Sequence, residues 1–318
     1  MKKILNLQVY FALVLAAAPL ASKAQVTFFS DNFTTSTLNQ PVAPPTGNSS
    51  SYQTYIGLSG GNTTSTIAPN NLSITLPNSG SVLGEVVGLF TNTPVPLTAV
   101  GDYIELDVVF VDASNIICGL DSANSTINVG LFNSGGVPPN QGNITTSVTT
   151  NNINTGGTQT WLGYFGRMFW SGKANIETRP IQLLSGATAQ NQDLLFSGAS
   201  GTQAFNNPNG TTVGSAASAN VSVVLTNGST YTMQFIITFD TANSLSISNA
   251  LYNGAGTGGT LIYSTTNQVA TNATFVTGGF DGLAVGFRNS SSSSQASTMV
   301  LASAAERSSW RPASRPRL

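Results

Sequence analysis

The chain has 318 residues, enough for one large domain or two of average size. Only 7% of its residues are charged, and it contains one cysteine and no histidine. Without histidine, a Ser-His-Asp or Cys-His catalytic set and the commonest zinc sites are excluded. Hydrophobic residues make up 40% of the chain and the formal net charge is -1, a composition that favours a folded domain over a disordered polar chain.

The first 24 residues have the pattern of an export signal. Lys2 and Lys3 form a short basic start, an apolar run follows, and Ser22-Lys23-Ala24 offers small residues for a signal peptidase. The apolar run is shorter than the roughly 20 residues that a bilayer span requires. We therefore predict a signal peptide at 1–24, a secreted or cell-surface location, and no membrane span after cleavage before Gln25.

Charge is distributed unevenly along the rest of the chain. Residues 25–301 carry 11 acidic and four basic residues, and this acidic balance argues against a nucleic-acid partner. The final segment, 303–318, is rich in arginine and lacks strand alternation. We predict one sandwich domain with long polar loops at 25–302 and a disordered basic tail at 303–318. A shifted reading frame at the gene end is the alternative origin of that tail.

Alternating polar and apolar residues indicate half-buried strands along most of the body. In Tyr103–Asp112, a set of large apolar side chains falls on one face and two acids fall on the other. The segment Tyr231–Phe239 repeats the pattern with threonine and glutamine on its polar face. No segment after residue 24 has the spacing of an amphipathic helix. The sequence therefore predicts an all-β protein built from antiparallel sheets.

Turn residues predict how several of these strands connect. Asn227-Gly228 supplies the positive φ angles of a tight hairpin between 221–225 and 231–239. Residues 240–243 then turn into 244–252, and Asn253-Gly254 turns again into 261–264. These four strands are expected to form a meander. Irregular turn spacing favours a single sandwich over a β-solenoid.

The residues 228–264 resemble the central hairpins of concanavalin A-like lectin/glucanase sandwiches, the laminin-G-like group. Such domains have an apolar alternating strand, an Asp-containing turn, a second strand and an Asn-Gly turn. The segments 26–33 and 281–289 are similar to a first strand and a late core strand of that group. The resemblance implies an antiparallel jelly-roll β-sandwich with one concave sheet that binds carbohydrate or holds catalytic carboxylates. Exported bacterial proteins of this kind often end in a Pro-Glu-Pro sorting signal, which is absent here.

Glu105 and Asp107 form the only candidate catalytic pair. Alternation places them on one face of a strand, and glucanases of the resembling fold carry Glu-x-Asp-x-Glu or Glu-x-Asp-x-x-Glu there. The third carboxylate is missing, because Val109 and Phe110 occupy the positions where it would lie. We therefore expect a solvent-facing acidic pair or a weak calcium contact. A polysaccharide hydrolase that takes a third acid from Glu85 or Glu177 is the alternative.

An aromatic cluster at 160–170 offers a candidate ligand site. Aromatic faces stack on sugar rings and arginine donates to hydroxyl groups, so Trp161, Tyr164, Arg167 and Trp170 are predicted ligand-binding residues. The alternative is a strand that is buried on both faces.

No cofactor is predicted. Calcium stays an open alternative because Asp102, Asp121, Asp240 and Asp281 border predicted strands, although no loop of the Asp-x-Asp kind occurs. Together these features predict a non-enzymatic module that binds extracellular polysaccharide or matrix glycan. A polysaccharide-active enzyme and a structural surface protein are the alternatives.

Overall fold

The computed structural model describes most of the chain after residue 24. The described residues are 25–38, 40, 43–57, 64–78, 82–116, 125–139, 158, 161–169, 173–179, 194–195, 211–218, 223–241, 244–270, 279–288 and 296–309. The predicted signal peptide lies outside them, as does Cys118.

The described residues form sixteen strands and contain no α-helix. The strands are β1 Gln25–Asp31, β2 Thr37–Leu38, β3 Ser51–Gly57, β4 Thr64–Ala68, β5 Asn71–Leu76, β6 Leu83–Leu89, β7 Tyr103–Ser114, β8 Thr126–Asn133, β9 Leu162–Phe169, β10 Lys173–Arg179, β11 Thr211–Ser218, β12 Thr230–Thr241, β13 Ser244–Asn253, β14 Thr260–Ala270, β15 Gly282–Arg288 and β16 Ser297–Ser309.

Two eight-stranded sheets contain all of these strands. Sheet 1 has the order β14-β13-β12-β7-β16-β5-β4, with β1 beside β16. Sheet 2 has the order β11-β10-β9-β8-β15-β6-β3-β2. Every pairing is antiparallel except the short β2–β3 contact. Consecutive strands often lie in different sheets, as in β7 and β8. The predicted all-β, antiparallel jelly-roll sandwich is confirmed.

The core lies between the two sheets and follows the alternation of the sequence. On β7 the core-facing side chains are Ile104, Leu106, Val108 and Phe110, all buried. They belong to the same cluster as Val129 of β8 and Val285 of β15 in sheet 2. Alternation alone therefore predicts which face of β7 packs inward.

Two segments differ from their predicted secondary structure: one is not a strand, and one strand is longer than predicted. Val223–Leu225 is not a strand, and the Gly228 N–H of the Asn227-Gly228 turn donates to Asp112 O at the end of β7. Strand β16 continues to Ser309, past the predicted domain end at 302, because β7 and β1 flank it on both sides and pair with its backbone. The expectation of no strand after 302 is therefore wrong for 303–309.

Candidate functional site

The predicted aromatic site does not form a surface. Trp161 is fully buried, and its Nε1 donates to Val137 O at 2.7 Å. Tyr164 is also fully buried, between the two sheets, and burial raises the pKa of its phenol. Arg167 alone is half-buried on the outer face of sheet 2, and Trp170 lies outside the described residues. Neither Trp161 nor Tyr164 presents a ring to a ligand.

Tyr164 and Phe165 of strand β9 pack on opposite faces of sheet 2. Tyr164 and Met168 belong to the core between the sheets. Phe165 points the other way and joins a second apolar cluster, together with Trp161 and Phe132, on the outer face of sheet 2. This is the alternative interpretation of the segment, a strand buried on both sides.

The alternative catalytic pair lies on a different sheet. Glu105 and Asp107 occupy the outer face of β7 in sheet 1, but they are only 7% and 6% exposed. Gln234 Nε2 donates to Glu105 Oε1 at 2.9 Å from the neighbouring β12. The expectation of a solvent-facing pair is wrong, because both side chains are buried among their neighbours on that face, which include Gln234 of β12.

The proposed third acids are not brought to that pair. Glu85 and Glu177 lie on β6 and β10, both in sheet 2. The hydrolase alternative required three carboxylates in one cleft. The described strands place the pair and the proposed third acids in opposite layers of the sandwich.

A continuous row of residues crosses the outer face of sheet 2 instead. The strand register aligns Glu85 of β6 with Gly286 of β15, Gly286 with Asn128 of β8, and Asn128 with Arg167 of β9. We call these four residues the polar row. Neighbouring strands are about 4.8 Å apart, so the backbone of the row spans roughly 14 Å.

The polar row binds a short piece of main chain from the same molecule. The two carboxylate oxygens of Glu85 accept hydrogen bonds from Leu194 N at 3.0 Å and Leu195 N at 3.1 Å. The carbonyl oxygen of Leu195 accepts from Asn128 Nδ2 at 2.8 Å and from Arg167 Nη2 at 3.3 Å. Three side chains of the sheet face thus satisfy the polar groups of two backbone units.

Beside the polar row, the same face of sheet 2 is apolar. Leu194 and Leu195 bury their side chains there in the second cluster, whose other members are Val87, Phe132, Trp161, Phe165 and Ala284. Glycines make room for these rings. A Cβ on Gly130 would lie 2.7 Å from the Phe132 ring, and one on Gly282 would meet Trp161. The face therefore has a polar half and a covered apolar half.

A second cation lies next to the polar row. Arg288 of β15 pairs with Thr126 of β8, which in turn pairs with Phe169 of β9. The Arg167 guanidinium lies 5.6 Å from the ring centroids of both Phe165 and Phe169, the distance of a cation–π contact. Burial and the positive charge of Arg167 lower the pKa of Arg288.

Several polar atoms of this region have no hydrogen-bond partner among the described residues. They include Asn128 Oδ1, Thr126 Oγ1 and Arg288 Nε, all of them buried. Buried polar groups are paired in nearly all native structures, so such atoms mark places where a water or a ligand binds.

Sequence reasoning missed Glu85 except as a third acid, and it missed Asn128 and Arg288 entirely. A local signal exists for two of them. Glu85 and Asn128 interrupt otherwise apolar or glycine-rich strands, LGEVVGL and TINVGLF. Their convergence has no local signal, because Leu195 is 110 residues from Glu85 along the chain.

Two of the four acids that left calcium open, Asp281 and Asp102, accept hydrogen bonds from the backbone. Asp281 accepts from Ser134 N at 2.7 Å and from Ser134 Oγ at 2.6 Å, and burial raises its pKa. Asp102 Oδ2 accepts from Ala99 N at 2.8 Å. Asp121 lies outside the described residues. Within the described ranges, no group of three or more acidic or cysteine side chains is arranged to hold a metal ion.

The described part of the chain contains no long apolar helix of the kind that crosses a membrane.

No family model and no curated protein sequence matches the chain. Among solved structures, it is similar to an endo-1,3-beta-glucanase from Streptomyces sioyaensis, with 12% identity, a TM-score of 0.45, and coverage of 92% of this chain and 99% of that one. A basic winged bean lectin has 11% identity, a TM-score of 0.40, and coverage of 90% and 99%. Peanut lectin has 15% identity, a TM-score of 0.34, and coverage of 81% and 98%.

Proposed function

We propose that the protein is an exported, non-enzymatic carbohydrate-binding or adhesion module that binds glycan on the outer face of sheet 2. The observation that carries this proposal is the accessible edge of the outer face, where Arg167 and Phe169 of β9 and Arg288 of β15 are half-buried. Guanidinium groups donate hydrogen bonds to sugar hydroxyls. The ring of Phe169 suits the C–H face of a sugar ring.

The contact that Arg167 makes with Leu195 supports this proposal. Arg167 Nη2 donates to the carbonyl oxygen of Leu195 at 3.3 Å, and a sugar hydroxyl offers a similar acceptor. Phe169 and Arg288 lie at the edge of this contact and are half-buried, so part of each side chain is accessible.

A polysaccharide microarray tests the proposal. We expect the wild-type protein to bind at least one of laminarin, xylan, alginate and polygalacturonate. Arg167→Ala and Phe169→Ala should each weaken that binding at least fivefold, because each removes a contact to the glycan. The matched control is Thr266→Ala, an exposed position on the outer face of sheet 1.

Other outcomes would assign another function. Release of reducing sugar from the same polysaccharides would favour the hydrolase. Concentration-dependent self-association without any glycan signal would favour a structural surface protein. Equal binding by wild type and both sheet 2 variants, with melting temperatures unchanged, would contradict the proposed face.

Export is part of the same proposal and has its own test. Protein recovered from the culture medium of a bacterial host that secretes it should have Gln25 as its first residue. Retention in the cell with Met1 intact would contradict export.

A further inference from the structure

Charge is segregated between the two sheets of the sandwich. The strands of sheet 1 carry six acidic residues and one basic residue: Asp31, Glu105, Asp107, Asp112, Asp240, Glu306 and Arg307. The strands of sheet 2 carry four basic and two acidic residues: Arg167, Lys173, Arg179, Arg288, Glu85 and Glu177. Every basic residue of the predicted domain 25–302 therefore lies on a strand of sheet 2.

Two of these cations lie close together on the outer face. Arg288 is one position from the polar row, since Gly286 pairs with Asn128 and Arg288 pairs with Thr126. Arg167 pairs with Asn128 from the other side. The two guanidinium groups are near enough for the charge of Arg167 to disfavour the charge of Arg288.

Burial, together with the charge of Arg167, lowers the pKa of Arg288. The side chain is half-buried, and its buried Nε has no hydrogen-bond partner within the described part of the chain. A desolvated cation beside a like charge is costly, and natural proteins keep such arrangements mainly where they serve a ligand.

We infer that the glycan bound by this face is anionic, a polysaccharide with carboxylate or sulfate groups, and that Arg288 and Arg167 bind its charged groups. This inference rests on the proposed function of the same face. An acidic group beside the two guanidiniums offsets their repulsion. Neutral glycans offer hydroxyls but no compensating charge.

The test compares polysaccharides that differ only in charge. Biolayer interferometry would measure binding to polygalacturonate and to its fully methyl-esterified form, and to dextran sulfate and unmodified dextran. We expect at least tenfold tighter binding to one acidic member than to its neutral partner, with binding weakened by raising the salt from 0.05 to 0.5 M. The pair that responds identifies carboxylate or sulfate as the bound group.

Two substitutions test whether Arg288 causes the preference for the acidic polymer. Arg288→Gln should weaken binding to the acidic polymer about tenfold and leave binding to its neutral partner unchanged. The control Arg307→Gln makes the same charge change on β16 in sheet 1 and should leave both affinities unchanged. An equal loss in both variants would show attraction by net charge alone and would overturn the inference.

The inference and the proposed function fail in different ways. Equal binding to the charged and neutral members of both pairs, unaffected by Arg288→Gln, overturns the anionic ligand and leaves glycan binding intact. Absence of binding to all four polymers and to the microarray overturns both. Binding of single-stranded DNA as tightly as the acidic polysaccharide would also overturn the inference, because the face would then bind polyanions without regard to sugar.

Discussion

Two glutamates occupy the outer faces of the two sheets, and their surroundings differ. In sheet 1, Glu105 is aligned with Ile236 of β12, Ile236 with Ser248, and Ser248 with Thr266. On its other side Glu105 is aligned with Arg307 of β16, and further along the row Ser248 Oγ contacts Thr266 Oγ1 at 3.1 Å. In sheet 2, Glu85 belongs to a row with Asn128 and Arg167.

Hydroxyl groups on the outer face of sheet 1 contact one another, whereas the outer face of sheet 2 binds a distant segment of the same chain. The hydroxyls of sheet 1 bind one another across strands, which is the usual way that a polar sheet face is stabilised. The polar row of sheet 2 instead binds main-chain atoms of a distant segment. Strand alternation is the same in both sheets, so the difference lies in the residues and not in the architecture.

The largest expected effect comes from filling a glycine position in sheet 2. A Cβ on Gly163 would overlap Leu131 O and lie 2.6 Å from the Phe132 ring, so Gly163→Ala forces β8 and β9 apart. We expect a loss of about 3 kcal/mol in the free energy of unfolding, measured by urea denaturation. Gly258→Ala, in the turn of sheet 1 with nothing within 4 Å, is the control and should cost under about 1 kcal/mol. Similar losses in both would contradict the close packing of the covered face.

The two glutamates themselves give the next prediction. Glu85→Ala leaves two buried backbone N–H groups without their acceptor and should cost about 2 kcal/mol. Glu105→Ala removes one hydrogen bond from Gln234 and should cost about 1 kcal/mol. Urea denaturation of both variants at pH 7 measures the difference. A larger loss for Glu105→Ala than for Glu85→Ala would contradict the stated difference between the two faces.

The stability of the protein should depend on pH through Asp112, which lies at one end of sheet 1. Burial raises the pKa of Asp112, whose Oδ1 accepts from Ile116 N and whose Oδ2 has no hydrogen-bond partner among the described residues. The folded state therefore keeps this proton to a higher pH than the unfolded chain does. Its contribution to stability is complete below the ordinary pKa of 3.8 and is lost as the pH rises through the folded pKa.

Asp112→Asn tests this contribution, because the amide keeps the acceptor for Ile116 N and never carries the charge. We expect the free energy of unfolding of the wild type to fall relative to this variant between pH 4 and pH 7. Urea titrations at several pH values measure that difference. A constant gap between the two proteins would show that the carboxyl is not held neutral by burial.

The smallest effect is expected on the exposed face of sheet 1. Thr266→Ala removes a surface hydroxyl contact and should change the free energy of unfolding by less than about 0.5 kcal/mol. Thermal melts of wild type and variant should overlay. A loss above 1 kcal/mol would show that this face is more than a solvated surface.

The local pattern of the sequence predicted the strands and their inward faces. Strands β7, β12 and β13 lie at the predicted segments, and the apolar residues of β7 face the core as alternation requires. The antiparallel neighbours β12, β13 and β14 form three strands of the expected meander. These features depend on residues that are close together in the chain.

The site could not be predicted from local sequence patterns, because it depends on contacts between residues that are far apart in the chain. Trp161 is buried because Gly282 of β15 leaves room for its ring, more than 100 residues away along the chain. Glu105 and Asp107 are buried although alternation places them on the outer face of β7. Alternation distinguishes the two faces of a strand, but it does not reveal what covers the outer one.

Hydrogen–deuterium exchange with and without bound polysaccharide tests the central claim most directly, namely that ligand binds on the outer face of sheet 2. We predict that the ligand slows exchange in peptides that cover β8, β9 and β15, and that it leaves β12 and β13 unchanged. Slower exchange confined to β7, β12 and β13 would place the ligand on sheet 1 and contradict the account.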